Sequence, residues 1–331
     1  MSRKTAIFIL SFSLFSSLWL PALLGAAANP PLKQVTFIPQ WVPQAQFAGY
    51  YVAEETGIYQ KYGLKVEIIN GGPQRSSAEY LKHQKADFAS LWLVTGLNLW
   101  QQGTAVVNLA QIVQRSALML IAKKKSGILR PKDIEGRKVG LWGSPFEIQP
   151  QMFFKQYDLK VEVLRQSYSV NLFLRDGVAV TSAMWYNEYH TIINAGINPD
   201  ELTTFFYADH KLNFPEDGIY VRKETWQQQP ELCRAFVKAS LEGWQRAFAE
   251  PELALDITMR NLKKEHIISN RVHQKWMLER MQDIILPAHT QHQLGHLKRK
   301  DFQRATEALR SKGLIEKIPD FNIFYKPLAG E

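Results

Sequence analysis

From Val35 onward, short β-branched or aromatic runs alternate with helix-spaced segments, and at Pro230 the alternation stops. Val35-Thr36-Phe37-Ile38 reads as a strand halted by Pro39, and residues 46–56 take helical spacing up to Gly57. A short helical turn follows over 58–62 and ends at Gly63. Leu64, Val66 and Ile68 then alternate with Lys65 and Glu67, the period of a half-buried strand. Ser76 or Ser77 can cap the next helix. Apolar runs at 88–93 and 106–109 flank a helix near 96–101, and further strands are expected at 139–144, 161–163 and 178–185. Beyond Pro230 the pattern is helical over 230–248, 251–262, 271–285 and 301–312. Pro230 and Pro251 stand where a first helical turn tolerates proline. Such alternation predicts an α/β fold with mostly parallel sheets and ligands at the carboxyl ends of strands. One α/β block, a second block and then helices completing the first predict two lobes with two crossings. Two apolar runs of similar character, 118–122 before Lys123-Lys124-Lys125 and 219–221 before Arg222-Lys223, lie at the ends of the middle block.

Residues 1–28 have a different logic. Arg3 and Lys4 precede an apolar stretch over 6–24, and Gly25-Ala26-Ala27-Ala28 closes it. That order is the pattern of a secretory signal peptide, with cleavage expected after Ala28. An uncleaved membrane anchor is the alternative, since 19 apolar residues can span a bilayer. Removing 28 of the 331 residues leaves 303, and losing Arg3 and Lys4 takes the net charge from +9 to +7. No cysteine follows the apolar run, so acylation at a lipobox cysteine is excluded. The expectation is an exported, periplasmic protein, which argues against nucleic acid as a partner despite the positive charge. With 46% apolar residues and 12% aromatics the chain has a globular composition. The one cysteine, Cys233, excludes an intramolecular disulfide and a CxxC site. Its apolar neighbours on a helix, Leu232 and Phe236, mark it as a small buried hydrophobe.

Residues 41–59, WVPQAQFAGYYVAEETGIY, continuing through Tyr62-Gly63-Leu64-Lys65-Val66, resemble the opening of a known family. It is that of the periplasmic solute-binding proteins of ABC importers related to sulfonate-, nitrate- and thiamine-precursor-binding components. Residues 85–89 (KADFA), 114–122 (QRSALMLIA) and 131–140 (PKDIEGRKVG) are similar to it in the same order. Residues 183–188 (AMWYNE) resemble its pyrimidine-precursor branch, and the likeness covers about 34–225. The resemblance implies a two-lobe type II periplasmic binding protein fold with two hinge crossings. One lobe would comprise 29–120 and 222–331, the other 121–221. The two basic-ended apolar runs fall where the hinges belong.

Several constellations are candidates for ligand contact. Trp41, Phe47, Tyr50 and Tyr51 lie in and just after the first strand-to-helix turn, where an aromatic can stack on a flat heterocycle. Core packing is expected for at least two of the four, and Trp41 is the first choice for the ligand. Asn70-Gly71-Gly72 precedes a helix with serines at its start; its backbone N–H groups can cradle an anion or simply form a tight turn. Gly143-Ser144-Pro145-Phe146 is the equivalent turn of the second block, so Gly71 and Ser144 mark the two cradles. Trp185-Tyr186-Asn187-Glu188 offers stacking, an amide and a carboxylate, and the last two can read the donor and acceptor edge of an aminopyrimidine. Asp209 and Asp217 stand in a loop-like stretch, and one of them, Asp217 by preference, is expected to face the cleft. His289, His292 and His296 have a metal-compatible spacing but read as surface histidines, so no metal and no cofactor is expected.

The family also includes a pyrimidine synthase that uses a lysine for pyridoxal phosphate, a histidine four residues later and a cysteine-rich motif. On the resemblance, Leu91 and Thr95 stand at the lysine and histidine positions, and Cys233 has no companion. The expectation is therefore a binder and not an enzyme: a monomer that delivers a small heterocycle to an ABC importer permease. A thiamine pyrimidine precursor is the leading ligand; sulfonate, nitrate and riboflavin-type ligands stay open, as does a sensor subunit that signals to a membrane kinase.

Overall fold

The computed structural model describes residues 31–143, 146–287 and 294–327. The leader assigned to 1–28, Ser144, His289 and His292 lie outside the described residues. The chain lays down β1 (Lys33–Ile38), β2 (Leu64–Ile68), β3 (Phe88–Leu91) and β4 (Val106–Gln111) with helices between them. It crosses through 112–117 into β5 (Leu118–Lys123), β6 (Lys138–Leu141), β7 (Glu162–Arg165), β8 (Val180–Met184) and β9 (Leu202–Phe206). It then returns through 207–217 to β10 (Gly218–Arg222). Among the described residues this makes two five-stranded sheets, ordered β2-β1-β3-β10-β4 and β7-β6-β8-β5-β9.

The sheets are α/β as expected, but their pairing is mixed. β1 pairs in parallel with β2 and β3, and β6 does so with β7 and β8. β10 runs antiparallel to β3 and β4, and β5 runs antiparallel to β8 and β9. The reversed strand of each sheet is the one entered from a crossing. Gly218 at the start of β10 faces Leu91 and Gln111 at the ends of β3 and β4, and Leu118 at the start of β5 faces Met184 at the end of β8. Both crossings therefore lie at the carboxyl ends of the remaining strands, the edge where α/β folds place ligands.

β4 and β5 are buried along their whole length, which is why 118–122 reads as a continuous apolar run rather than an alternating one; in β4 the buried Asn108 amide donates to Gln111 at 2.9 Å. Lys123, which the sequence places at a solvated hinge edge, is instead buried at the end of β5. Its ammonium donates to Asp176 at 2.6 Å and to the Leu174 carbonyl at 3.1 Å. Lys124 and Lys125 are exposed.

The C-terminal helices cover the first sheet. Helix Pro230–Ala249 buries Leu232, Cys233, Phe236, Val237, Ser240, Gly243, Trp244 and Ala247, a stripe at helical spacing. Phe236 stacks on Phe88 with centroids 4.0 Å apart and on Tyr59 at 5.4 Å. Burying one such ring contributes about 1.5–3 kcal/mol. Helix Ala48–Glu55 packs against Pro230–Ala249 and Pro251–Lys264. Their close crossing needs glycine: a Cβ on Gly49 would stand 2.3 Å from the Trp244 ring, and one on Gly243 would stand 2.2 Å from the Gly49 carbonyl. Helix Arg271–Ile285 has the bounds its spacing predicts and is capped by Asn270, which accepts from the His273 N–H. Among the described residues no helix is long and apolar enough to cross a membrane.

Candidate functional site

The two crossings are tied to each other by buried polar groups. Glu216 of the return crossing accepts from the Ser116 hydroxyl at 2.6 Å and the Ala117 N–H at 3.0 Å. Asn213 accepts from the Ser116 N–H at 2.8 Å, and the Asp217 carbonyl accepts from Ile112 and Val113. Burial pushes the Glu216 carboxyl up to about 8, against the pull of its bond from Ser116.

Beside the crossings, at the strand ends, lies a cleft of about 350 Å³. Its walls carry Trp41 and Trp92 from the first α/β block and Trp142, Phe146, Tyr168 and Tyr186 from the second. Trp41 meets Tyr168 edge-on with centroids 4.8 Å apart, and Trp92 meets Phe146 at 4.7 Å and 90°. Both pairs span the two blocks, in the edge-to-face geometry that ring quadrupoles favour. Trp142 is held by its indole N–H on the Ser167 carbonyl at 3.0 Å. The Trp92 indole nitrogen is buried with no hydrogen-bond partner among the described residues.

Five of these six rings follow one rule. Trp41 comes three residues after β1 ends, Trp92 one after β3, Trp142 one after β6, Tyr168 three after β7 and Tyr186 two after β8. The first residues past a strand end have left the sheet and have not yet entered the covering helix, so their side chains can face the cleft, although Trp185, one after β8, and Tyr207, one after β9, do not line it.

The candidates from the sequence divide accordingly. Trp41, Tyr186, Asn187 and Glu188 line the cleft. Phe47 and Tyr50 do not: both are in the core, with Tyr50 packed 4.5 Å from Phe37 and 5.8 Å from Trp244. Tyr51 is likewise buried. Gly71 is held off the cleft by a backbone contact, since a Cβ there would lie 2.0 Å from the Pro39 carbonyl oxygen; Gly72 is the glycine that lines it. The serines after them are spent on the fold, Ser76 accepting from the Glu79 N–H and Ser77 donating to the Ser90 carbonyl. Asp217 is buried behind the wall, where it accepts from the cleft-lining Gln46 amide at 2.7 Å. Asp209 is on the surface, paired with Arg115 at 2.9 Å. His296 is described, and no group of three metal-binding side chains occurs among the described residues. The sequence reading missed Trp92, Trp142, Tyr168, Gln44 and Gln46, and named Phe146 only as part of the second backbone turn.

The polar end of the cleft is Asn187 and Glu188. Glu188 accepts from the Met184 N–H at 2.9 Å and from the Asn187 side-chain amide at 2.8 Å. Burial pushes its carboxyl up to about 7, and those bonds hold it partly back. Asn187 in turn accepts from His273 at 2.9 Å, and His273 meets His190 at 2.9 Å between ring nitrogens. Burial keeps both histidines below the ordinary imidazole value, His273 also through its neighbour. This contact joins helix Glu188–Asn194, which follows β8, to helix Arg271–Ile285. On the first wall, burial lifts Asp217 to about 7 despite its bond from Gln46.

A family model described as NMT1/THI5 like matches residues 44–254, more than half of the chain. The riboflavin-binding protein RibY of Chloroflexus aurantiacus is 25% identical over 299 residues, covering 87% of this chain and 83% of its own. A 4-amino-5-hydroxymethyl-2-methylpyrimidine phosphate synthase of Aspergillus parasiticus is 22% identical over 247 residues, covering 67% and 69%. Among solved structures, the periplasmic aliphatic sulphonate binding protein SsuA from Escherichia coli aligns with a TM-score of 0.69 at 13% identity, over 92% of this chain and 95% of that one. That last likeness is one of fold. The family match takes in Gln44, Gln46, both crossings and the cleft wall from Trp92 to Glu188, and on it this chain belongs to the NMT1/THI5-like family.

Proposed function

We propose that this chain is the substrate-binding component of an ABC importer, exported to the periplasm, and that it captures a flat heteroaromatic ligand between its lobes. The observation that carries the reading is the set of aromatic rings at strand ends, drawn from both α/β blocks and facing one another across a single cleft. A thiamine pyrimidine precursor is the first ligand, because Asn187 and Glu188 stand together at one end of that aromatic slot. An amide and a carboxyl, the latter near neutral pH in its own titration, can read the mixed donor and acceptor edge of an aminopyrimidine. A flavin is the second reading. It is favoured by the Trp92–Phe146–Trp142 run, which extends the aromatic wall beyond one small ring, and by the riboflavin-binding relative that spans most of the chain.

Binding would close the lobes about the two crossings, since Trp41 and Trp92 hold one side of the ligand and Tyr168, Phe146 and Tyr186 the other. Only the closed state makes both sets of contacts, so ligand shifts the population toward it. The residues do not fit the pyridoxal phosphate chemistry of the related synthase. Leu91 and Thr95 both line this cleft, where the resemblance calls for a lysine and a histidine, and leucine can form no Schiff base.

Thermal-shift screening of the chain lacking residues 1–28 tests the reading. The probes are 4-amino-5-hydroxymethyl-2-methylpyrimidine, riboflavin, taurine and nitrate. A bound probe at 100 times its dissociation constant stabilises by about 2.7 kcal/mol. A shift with the pyrimidine or the flavin is expected. A shift with taurine or nitrate alone would overturn the heteroaromatic reading, and turnover of a bound precursor would overturn the binder.

A further inference from the structure

Three glutamines, Gln40, Gln44 and Gln46, line the first wall of the cleft, and a buried carboxyl behind Gln46 bears on which way the last two point. Asp217 is buried at the end of the return crossing, next to the start of β10. Its place is fixed from both sides, because its own carbonyl accepts from Ile112 and Val113 of the other crossing. Its Oδ2 accepts from Gln46 Nε2 at 2.7 Å. Gln46 Oε1 accepts in turn from Gln44 Nε2. The backbone carrying both side chains is pinned as well, with the Ala45 N–H donating to Gln274 at 2.7 Å and the Phe47 N–H donating to the Gln44 carbonyl at 3.0 Å.

A primary amide has two ends of nearly equal size and opposite polarity, so only its partners orient it. A carboxyl oxygen without a proton can only accept. With the Asp217 proton off, or on Oδ1, the Gln46 NH2 faces Oδ2, as in the structure, and the Gln46 carbonyl oxygen turns toward Gln44. That oxygen claims the Gln44 NH2, and the Gln44 carbonyl oxygen is the acceptor the relay leaves unused. Gln44 and Gln46 both line the cleft, whereas Asp217 does not.

We propose that Asp217 is a positioning residue which, through Gln46, presents the Gln44 carbonyl oxygen to the ligand and makes this wall select heteroaromatic ligands with an N–H donor at that edge. The proposal rests on the heteroaromatic reading of the cleft and names the polarity of ligand it accepts. It also joins the cleft to the hinge, since the residue that sets the polarity sits on the crossing about which the lobes would move.

The test compares ligand pairs that differ in one donor. They are 4-amino-5-hydroxymethyl-2-methylpyrimidine against its 4-methoxy analogue, and riboflavin against 3-methylriboflavin. Within the pair that binds, the wild type is expected to favour the N–H ligand by at least about tenfold, the size of effect a site built around one buried hydrogen bond supports. Asp217→Leu and Gln46→Leu should each bring the ratio to within about threefold, and the double variant should bring it no lower, because each breaks the same chain. A general loosening of the cleft would weaken both members of a pair and leave the ratio unchanged, and an unchanged ratio in either folded variant overturns the proposal. Gln46→Leu serves as the readout if Asp217→Leu fails to fold. A second measurement needs no ligand: slow-exchanging side-chain amide protons of Gln44 and Gln46 in the full chain, lost in Asp217→Leu. If neither N–H probe binds the wild type, the heteroaromatic reading and its selectivity fall together, while protected amide protons would keep the relay itself. Protection that survives Asp217→Leu overturns the relay.

Discussion

Two stretches gather aromatic side chains, 41–51 near the start and 185–189 in the middle, and the fold treats them differently. In the first, Trp41 reaches the cleft and Phe47, Tyr50 and Tyr51 are core. Helix Ala48–Glu55 lies against Phe37 of the sheet on one side and helices Pro230–Ala249 and Pro251–Lys264 on the other, so it has no face left for a ligand. In the second, neighbours separate. Tyr186, Asn187 and Glu188 line the cleft, while Trp185 and Tyr189 turn to helix Arg271–Ile285. There Arg280 lies 5.0 Å over the Trp185 ring, and Tyr189 stands 6.1 Å from Trp276. Nearness to a strand end brings a ring within reach of the cleft but does not decide it: Trp185, one residue past β8, turns away while Tyr186 lines the cleft.

The largest expected effect that would break this comparison is in the core of the first stretch. Tyr50→Ala should cost about 3–5 kcal/mol of stability, in the range of a large buried ring replaced by alanine. Urea unfolding measures it, and a cost below about 1 kcal/mol would return Tyr50 to the cleft. Gly71→Ala should cost about 1–3 kcal/mol, as overpacking does, because its Cβ meets the Pro39 carbonyl just before Trp41. Ligand affinity should follow only the loss of folded protein. Trp41→Ala should show the opposite profile. Calorimetric titration should find binding weakened about tenfold, or 1.4 kcal/mol, with a melting temperature close to wild type.

The smallest effect concerns pH and separates the second stretch from the first. Glu188 has its folded value raised by burial to about 7, above the value of a free glutamate. Its favourable contribution is therefore complete below about pH 4.5 and is lost as pH rises through 7. Glu216 and Asp217 are shifted in the same direction, also chiefly by burial. The melting temperature should fall between pH 6.5 and 8, above the range in which the depressed values of His190 and His273 act in the opposite direction, and Glu188→Gln should make that fall shallower without abolishing it. An unchanged slope in Glu188→Gln would mean that the carboxyl is solvated rather than enclosed.

Much of the fold was legible, and the site was legible in part. Helix Arg271–Ile285 has its expected bounds because apolar spacing and its capping Asn270 are both local signals. β9 (Leu202–Phe206) went unrecognised, since Thr203 and Thr204 interrupt its apolar residues. Trp92 and Trp142 were hidden for a related reason. Apolar runs at 88–93 and 139–144 absorb both tryptophans into strands, whereas β3 ends at Leu91 and β6 at Leu141. With those two boundaries in hand, Trp92 and Trp142 stand just past strand ends, as Trp41 and Tyr186 do, the position from which a ring can reach the cleft. Gln44 and Gln46 carried no such signal, because their role comes from Asp217, 171 residues beyond Gln46.

The sequence by itself determined the alternation of strands and helices and the helical C-terminal third, because periodicity and apolar runs act over a few residues. Only the tertiary structure decided that both crossings enter reversed strands, that Tyr50 is core and Trp41 is wall, and that Asp217 stands behind Gln46. Each of these depends on what packs against a residue from a distant part of the chain, and no local pattern encodes that neighbour.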